Sequence, residues 1–164
     1  MILIGLGANE ASAVGPPQAT LEAALTALSD TGVVIAARSR WYRSAPVPAS
    51  DQPWFVNGVA ALATDRDPGD LLALLHRIEE RFGRRRQRRN EARPLDLDLL
   101  DYDGVIRPEG GAPPILPHPR LQERAFVLLP LRDVAPAWRH PLLRQSIEEL
   151  IAALPLGQFA EAQL

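Results

Sequence analysis

The chain has 164 residues, 46% of them apolar, which is material for one domain built around one core. A net charge of -2 gives no overall attraction for nucleic acid, no apolar run approaches the roughly 20 residues of a bilayer span, and the absence of cysteine excludes disulfide and thiol chemistry. All 18 basic residues are arginine, so Schiff-base lysines and the lysine of a P-loop are excluded as well. A phosphate clamp here has to use guanidinium groups, which grip phosphate oxygens bidentately. The expectation is a single domain over 1–164, cytoplasmic and without membrane association. Met1 to Gly5 is read as a first strand and not as a secretory leader.

Residues 1–6 read as a buried strand running into Gly5-Leu6-Gly7. Leu21, Ala24, Leu25 and Leu28 recur at helical spacing over 20–28. Residues 33–43 are rich in β-branched and aromatic side chains and read as a strand, and 55–64 as the next. Pro46, Pro48 and Pro53 make the connection between them a loop. Asp67-Pro68-Gly69-Asp70 opens a helix with a capping side chain and a proline in the first turn. Leu71, Leu74, Leu75 and Ile78 form its buried stripe, and Gly83 ends it. Leu95 to Tyr102 reads as a strand closed by a tight hairpin turn at Asp103-Gly104. Residues 107–119 form a loop, and a last helix covers roughly 145–153. The order β-α-β-β-α-β predicts an α+β, ferredoxin-like antiparallel sheet with helices on one face and additional C-terminal elements.

The strongest chemical signal is Arg93-Pro94-Leu95-Asp96-Leu97-Asp98-Leu99-Leu100. Strand alternation sends Leu95, Leu97 and Leu99 one way and Asp96 and Asp98 the other, with the carboxylates roughly 6–7 Å apart along the strand. Two acceptor-only groups on one face repel unless a cation lies beside them, and magnesium takes one or two carboxylates together with phosphate oxygens. A solvated strand face accounts for an isolated Asp-x-Asp. Beside it, however, stand Arg84, Arg85, Arg86, Arg88, Arg89 and Arg93. That basic segment has three readings: a solvated loop, a nucleic-acid contact, or a polyphosphate clamp. Base stacking calls for aromatics, which the segment lacks, whereas adjoining carboxylates and arginines match a magnesium–triphosphate.

Pro117-His118-Pro119-Arg120, followed by Arg124 and Phe126, holds a histidine rigidly between two prolines. His118 can donate to a phosphate or anchor a loop. His76 lies on the 68–82 helix with Glu79 one turn along on the same side, and His140 lies in a late loop. In the stretch from Ser44 to Asn57, Asn57 offers a donor and an acceptor suited to the edge of an amide-like heterocycle, and Phe55 offers a face for stacking. Gly5-Leu6-Gly7-Ala8-Asn9 lacks the third glycine of a dinucleotide fingerprint, which removes that reading.

These motifs, taken in order, resemble the 6-hydroxymethyl-7,8-dihydropterin pyrophosphokinase family (HPPK). The resemblance runs through Gly5 to Asn9, Asp51-Gln52-Pro53 to Asn57, Arg77-Ile78-Glu79 to Arg84, Arg93 to Asp98, Pro117-His118-Pro119 and Arg124 to Leu128. It implies an ATP- and magnesium-dependent pyrophosphokinase of folate biosynthesis that passes pyrophosphate from ATP to the pterin hydroxymethyl group and releases AMP. By the resemblance, Asp96 and Asp98 hold two magnesium ions. Arg84 and Arg93 act on the phosphates as a mobile loop closes. The ATP site takes His76, Glu79, Arg84, Arg86, Arg89, Arg93, backbone near Leu99, His118, Pro119 and Arg124. The pterin pocket takes Ser44, Ala45, Val47, Phe55, Asn57, Asp96 and Phe126, with the ring between Phe55 and Phe126.

Small-molecule substrates and a monomer are therefore expected, with no nucleic-acid partner. The sequence departs from the family's common pattern at Ala8, Ala45, Phe55 and His76. Its basic loop is one residue shorter, and Asn90 stands where tryptophan is frequent. The competing reading is a metal-dependent nucleic-acid-binding or nuclease module that uses the basic segment from Arg84 to Arg93.

Overall fold

The computed structural model describes residues 1–83 and 94–163. Its elements are β1 (Ile2–Ala8), α1 (Pro17–Asp30), β2 (Val34–Arg38), β3 (Tyr42–Ser44), β4 (Phe55–Ala63), α2 (Pro68–Arg81), β5 (Asp96–Tyr102), α3 (Ala125–Val134), α4 (Ile147–Ala152) and β6 (Ala160–Ala162). One sheet runs β5-β1-β4-β3-β6, with β2 also paired to β4, and every pairing is antiparallel. The ferredoxin-like expectation holds.

The expected strand over 33–43 is divided. β2 and β3 both lie along β4, but a residue is gained between Arg38↔Ala60 and Tyr42↔Asn57. Ser39 bridges the interruption: its N–H donates to the Val59 carbonyl at 2.9 Å, and its hydroxyl accepts from the Val59 N–H at 3.0 Å. Trp41 turns inward at this bulge and lies on Gly58, where any Cβ would sit 2.5 Å from the indole. Only glycine allows that approach.

Two cores fill the two sides of the sheet. On one, α1 and α2 pack Leu21, Leu25, Leu28, Leu71, Leu75 and Ile78 against Ile4, Leu6, Leu62, Leu97 and Leu99. On the other, α3 and α4 pack Leu128, Leu131, Ile147 and Leu150 against Leu3, Val59 and Leu100. The expected helices on one face are thus α1 and α2, and the C-terminal elements cover the opposite face.

Asp67 caps α2 as expected, accepting from the Asp70 N–H at 2.8 Å, and Gly83 closes it at φ +90°. The tight turn after β5 forms with both Asp103 and Gly104 at positive φ and a 2.9 Å bond from the Val105 N–H to the Tyr102 carbonyl. Among the described residues no strand returns along β5 from this turn. The chain leaves the sheet, and its next pairing is the isolated bridge of Arg107 with Leu116.

Candidate active site

β5 is the outer strand beside β1, and its alternation carries the chemistry. Leu95, Leu97 and Leu99 are buried in the α1–α2 core, so Asp96 and Asp98 project to the opposite face, as the sequence predicts, and that face is the one α3 covers. Across the ladder, Gly7 faces Asp96 and Gly5 faces Asp98. The two glycines leave room over β1 next to the carboxylates. The resulting hollow is lined by Gly5, Gly7, Asn57, Asp96, Asp98 and Phe126.

A cleft continues from this hollow toward the loop after β3. Ser44, Ala45, Val47, Phe55, Asn57, Asp96, Arg124 and Phe126 line it together. These are all seven residues expected to bind the pterin, with Arg124 beside them. Pro46, Pro48, Gln52 and Gly7 complete the lining. Gly7 and Gln52 belong to motifs visible in the sequence, and none of the four carries a ligand assignment there. Ser44 and Asn57 are buried neighbours across β3 and β4, and the Ser44 hydroxyl donates to Asn57 Oδ1 at 2.5 Å, which orients the amide. A Cβ at Gly7 would stand 3.0 Å from Asn57 Nδ2, so the glycine keeps space for that side chain. The Arg124 guanidinium lies 5.5 Å from the centre of the Phe126 ring, a cation–π contact at the cleft wall.

His76, Glu79, Leu99, His118 and Pro119 lie outside the lining of this cleft. Glu79 is buried on α2, where Oε2 accepts from the Leu97 N–H at 2.9 Å. The carboxylate therefore holds the outer edge of β5 at the residue between the two aspartates. His76 is half-buried one turn earlier on the same helix. The Leu99 side chain is core, which leaves its main chain as the part available to a ligand.

His118 is tied to the same strand by its N–H, which donates to the Leu100 carbonyl at 2.9 Å. Its Nδ1 accepts from the Arg120 N–H at 3.1 Å, which fixes a neutral ring with the proton on Nε2. Burial pushes this imidazole down to about 4, with Arg124 and Arg120 acting in the same direction and Asp96 opposing them. His118 is thus a neutral donor at neutral pH, close enough to feel both Arg124 and Asp96. Arg84, Arg86, Arg89 and Arg93 lie outside the described residues.

Elsewhere, His140 has a structural role. Its Nδ1 accepts from the Leu142 and Leu143 N–H groups at 3.2 and 3.0 Å and so caps a turn. The position of α3 over the sheet is set by Asp133. It accepts from Arg40 Nη2 at 2.9 Å and from the Tyr42 hydroxyl at 3.0 Å.

Fold and cleft together define an antiparallel α+β domain with a small-molecule site whose mouth carries paired carboxylates. Residues 3–136 match the family model described as 7,8-dihydro-6-hydroxymethylpterin-pyrophosphokinase (HPPK), and the chain belongs to that family. It is 43% identical over 158 residues to the 2-amino-4-hydroxy-6-hydroxymethyldihydropteridine pyrophosphokinase of Pseudomonas aeruginosa, covering 94% of this chain and 91% of that protein. It is 40% identical over 134 residues to the enzyme of the same name from Methylorubrum extorquens, covering 81% of each. Among solved structures it resembles an HPPK-DHPS in complex with substrates (TM-score 0.68, 12% identity, 93% of this chain). It also resembles the Plasmodium falciparum HPPK-DHPS with pteroate (TM-score 0.68, 13% identity, 92% of this chain). These two support the fold, and the chain spans 42% and 43% of their lengths.

Proposed function

We propose that the chain is an ATP-dependent diphosphotransferase that moves pyrophosphate from ATP to the hydroxymethyl group of 6-hydroxymethyl-7,8-dihydropterin, releasing AMP, in folate biosynthesis. The observation that carries this reading is the cleft itself. A buried, oriented amide at Asn57 lies with Phe55 and Phe126 in one lining that opens onto Asp96. Asn57 reads the amide-like edge of the pterin, the two phenylalanines take its faces, and Ser44, Ala45 and Val47 close the rim.

Asp96 and Asp98 suit magnesium as a donor set. They are hard oxygen ligands on one strand face beside two glycines, and no third acidic or histidine ligand joins them among the described residues. Two protein carboxylates with remaining positions left to phosphate and water is the usual magnesium arrangement, and we assign two ions to the pair. When bound, magnesium neutralises charge on the phosphate oxygens.

The chain's own groups do the positioning. His118 Nε2–H and Arg124 donate toward phosphate oxygens, and Glu79 keeps β5 in register through Leu97. His76, Pro119 and the Leu99 main chain complete the nucleotide side. Arg84, Arg86, Arg89 and Arg93 supply cations to the triphosphate, with Arg84 and Arg93 acting on the transferred group. The pterin hydroxyl oxygen bonds to the β-phosphorus, and the bond from that phosphorus to the bridging oxygen of AMP breaks. The hydroxyl proton needs no strong base, and Asp96 is the cleft carboxylate that assists its departure.

We take residues 1–164 as a single pyrophosphokinase domain, monomeric and cytoplasmic, which sedimentation and cell fractionation would check. Among the described residues no helix is long and apolar enough to cross a membrane. The deciding assay follows AMP with ATP and magnesium, with and without the pterin. AMP that appears only with both pterin and magnesium is expected. ADP, or no pterin-dependent product from folded protein, would mean that the fold is kept without the reaction.

A further inference from the structure

The two walls of the cleft belong to distant parts of the chain. One is the end of β3 with its loop and the start of β4, where Phe55 pairs with Ser44, and the other is the start of α3. The C-terminal arm touches both. β6 adds to the free edge of β3, pairing Ala160 with Ser44, and the Phe159 carbonyl accepts from the Ala45 N–H at 3.2 Å. The Phe159 ring packs on Trp54 with centroids 5.1 Å apart.

The preceding residue, Gln158, reaches the opposite wall. Its Oε1 accepts from the Ala125 N–H at 2.8 Å, and its Nε2 donates to the Glu123 carbonyl. α3 has no capping side chain of its own at Arg124, so Gln158 satisfies an N-terminal N–H that the local sequence leaves open. The carboxamide therefore brackets the peptide units on either side of Arg124, two residues before Phe126. Because Gln158 and Phe159 are neighbours, their Cα atoms lie about 3.8 Å apart, and one peptide unit links the two walls. The arm lies beyond the 3–136 span of the family match.

We infer that Gln158 is a positioning residue for pterin binding: with Phe159 it clamps the β3 loop to the start of α3 and so sets the gap into which the ring enters. This deepens the proposed function and rests on it. The stacking faces on the two walls are useful only at one separation, and a site loosened by its supporting groups loses affinity although every contacting residue is intact.

The test uses the full chain with Gln158→Met, which keeps length and removes both hydrogen bonds, and Gln158→Ala as a second variant. Calorimetry at 25 °C would measure 6-hydroxymethyl-7,8-dihydropterin binding in the presence of magnesium and a non-hydrolysable ATP analogue, beside thermal melting. In Gln158→Met the pterin Kd is expected to rise about tenfold, the scale of one or two lost hydrogen bonds, with melting within a few degrees of the parent. Leu156→Ala, on the same arm and fully exposed, is expected to bind like the parent. A merely structural role would lower the melting temperature and leave the Kd unmoved, and that result overturns the proposal. So does loss of fold in both Gln158 variants. Failure of the parent itself to bind the pterin would instead overturn the function on which the proposal rests.

Discussion

The two faces of strand β5 share one backbone and do opposite work. Leu95, Leu97 and Leu99 enter a core sealed by α1 and α2, where each side chain is almost wholly out of water. Asp96 and Asp98, one residue out of phase, meet the side covered by α3, where two glycines of β1 leave a hollow that continues as a cleft toward the loop after β3. One face is packed because the hydrophobic effect rewards filling it, and the other stays open because charge, glycine and a helix arriving from elsewhere in the chain keep it so. Stability and chemistry are thus separated by the pleat of a single strand, and the separation is accessible to mutation.

The largest effect is expected on the open face. Asp96→Asn and Asp98→Asn each keep shape and remove a charge. Turnover in the AMP assay should fall about a thousandfold or more, with melting close to the parent. Full activity in both would remove the metal assignment and with it the contrast. On the packed face Leu97→Ala should do the reverse, costing roughly 2–5 kcal/mol in denaturant unfolding while the folded fraction retains pterin and ATP affinity. A large loss of turnover without loss of stability would mean that the core leucine also tunes the site.

Asn57→Ala divides the open face further. Pterin affinity should drop about tenfold and ATP affinity much less, read by calorimetry, because Asn57 lines the cleft we assign to the pterin. Equal losses would make the cleft one undivided site.

The smallest effect concerns pH and His118. Its imidazole is held at about 4 by burial, helped by Arg124 and Arg120 against Asp96, whereas in the unfolded chain it protonates near the usual 6.5. Between those values the unfolded state binds the extra proton. The contribution of His118 is therefore fully present above about 6.5 and drains away as pH falls toward 4. His118→Asn retains an acceptor for the Arg120 N–H and does not titrate. It should flatten the decline in unfolding free energy over that range, read by denaturant titration at each pH, by on the order of 1 kcal/mol after solvent screening. An unchanged profile would show that other groups govern acid stability.

How much of this was legible depends on the range of the signal. Local patterns carried far. The Asp67 cap, the stripe on α2, the alternation of β5 and the turn at Asp103-Gly104 all formed where the residues call for them. Each depends on neighbours within four positions. Helix α3 is not legible as an element in the sequence, because Pro130 interrupts its pattern and Arg124 offers no cap. Its first N–H is satisfied from 33 residues away, by a glutamine that nothing in its own surroundings marks out. The division of the expected strand over 33–43 turned on Gly58 yielding space to Trp41, a contact between strands.

By itself, then, the sequence determined the core β-α-β-β-α-β order, the α+β class, the phase that sends two aspartates to one side, and the exclusion of lysine and thiol chemistry. These follow from periodicity, side-chain type and short-range capping, which act along the chain. Only the tertiary structure decided that the C-terminal helices cover the carboxylate face, that Glu79 braces the strand between the two aspartates, and that the final arm joins both walls of the cleft. Those outcomes depend on which distant surfaces can bury area together and which unsatisfied backbone groups they meet. That is a property of the packed chain and not of any window within it.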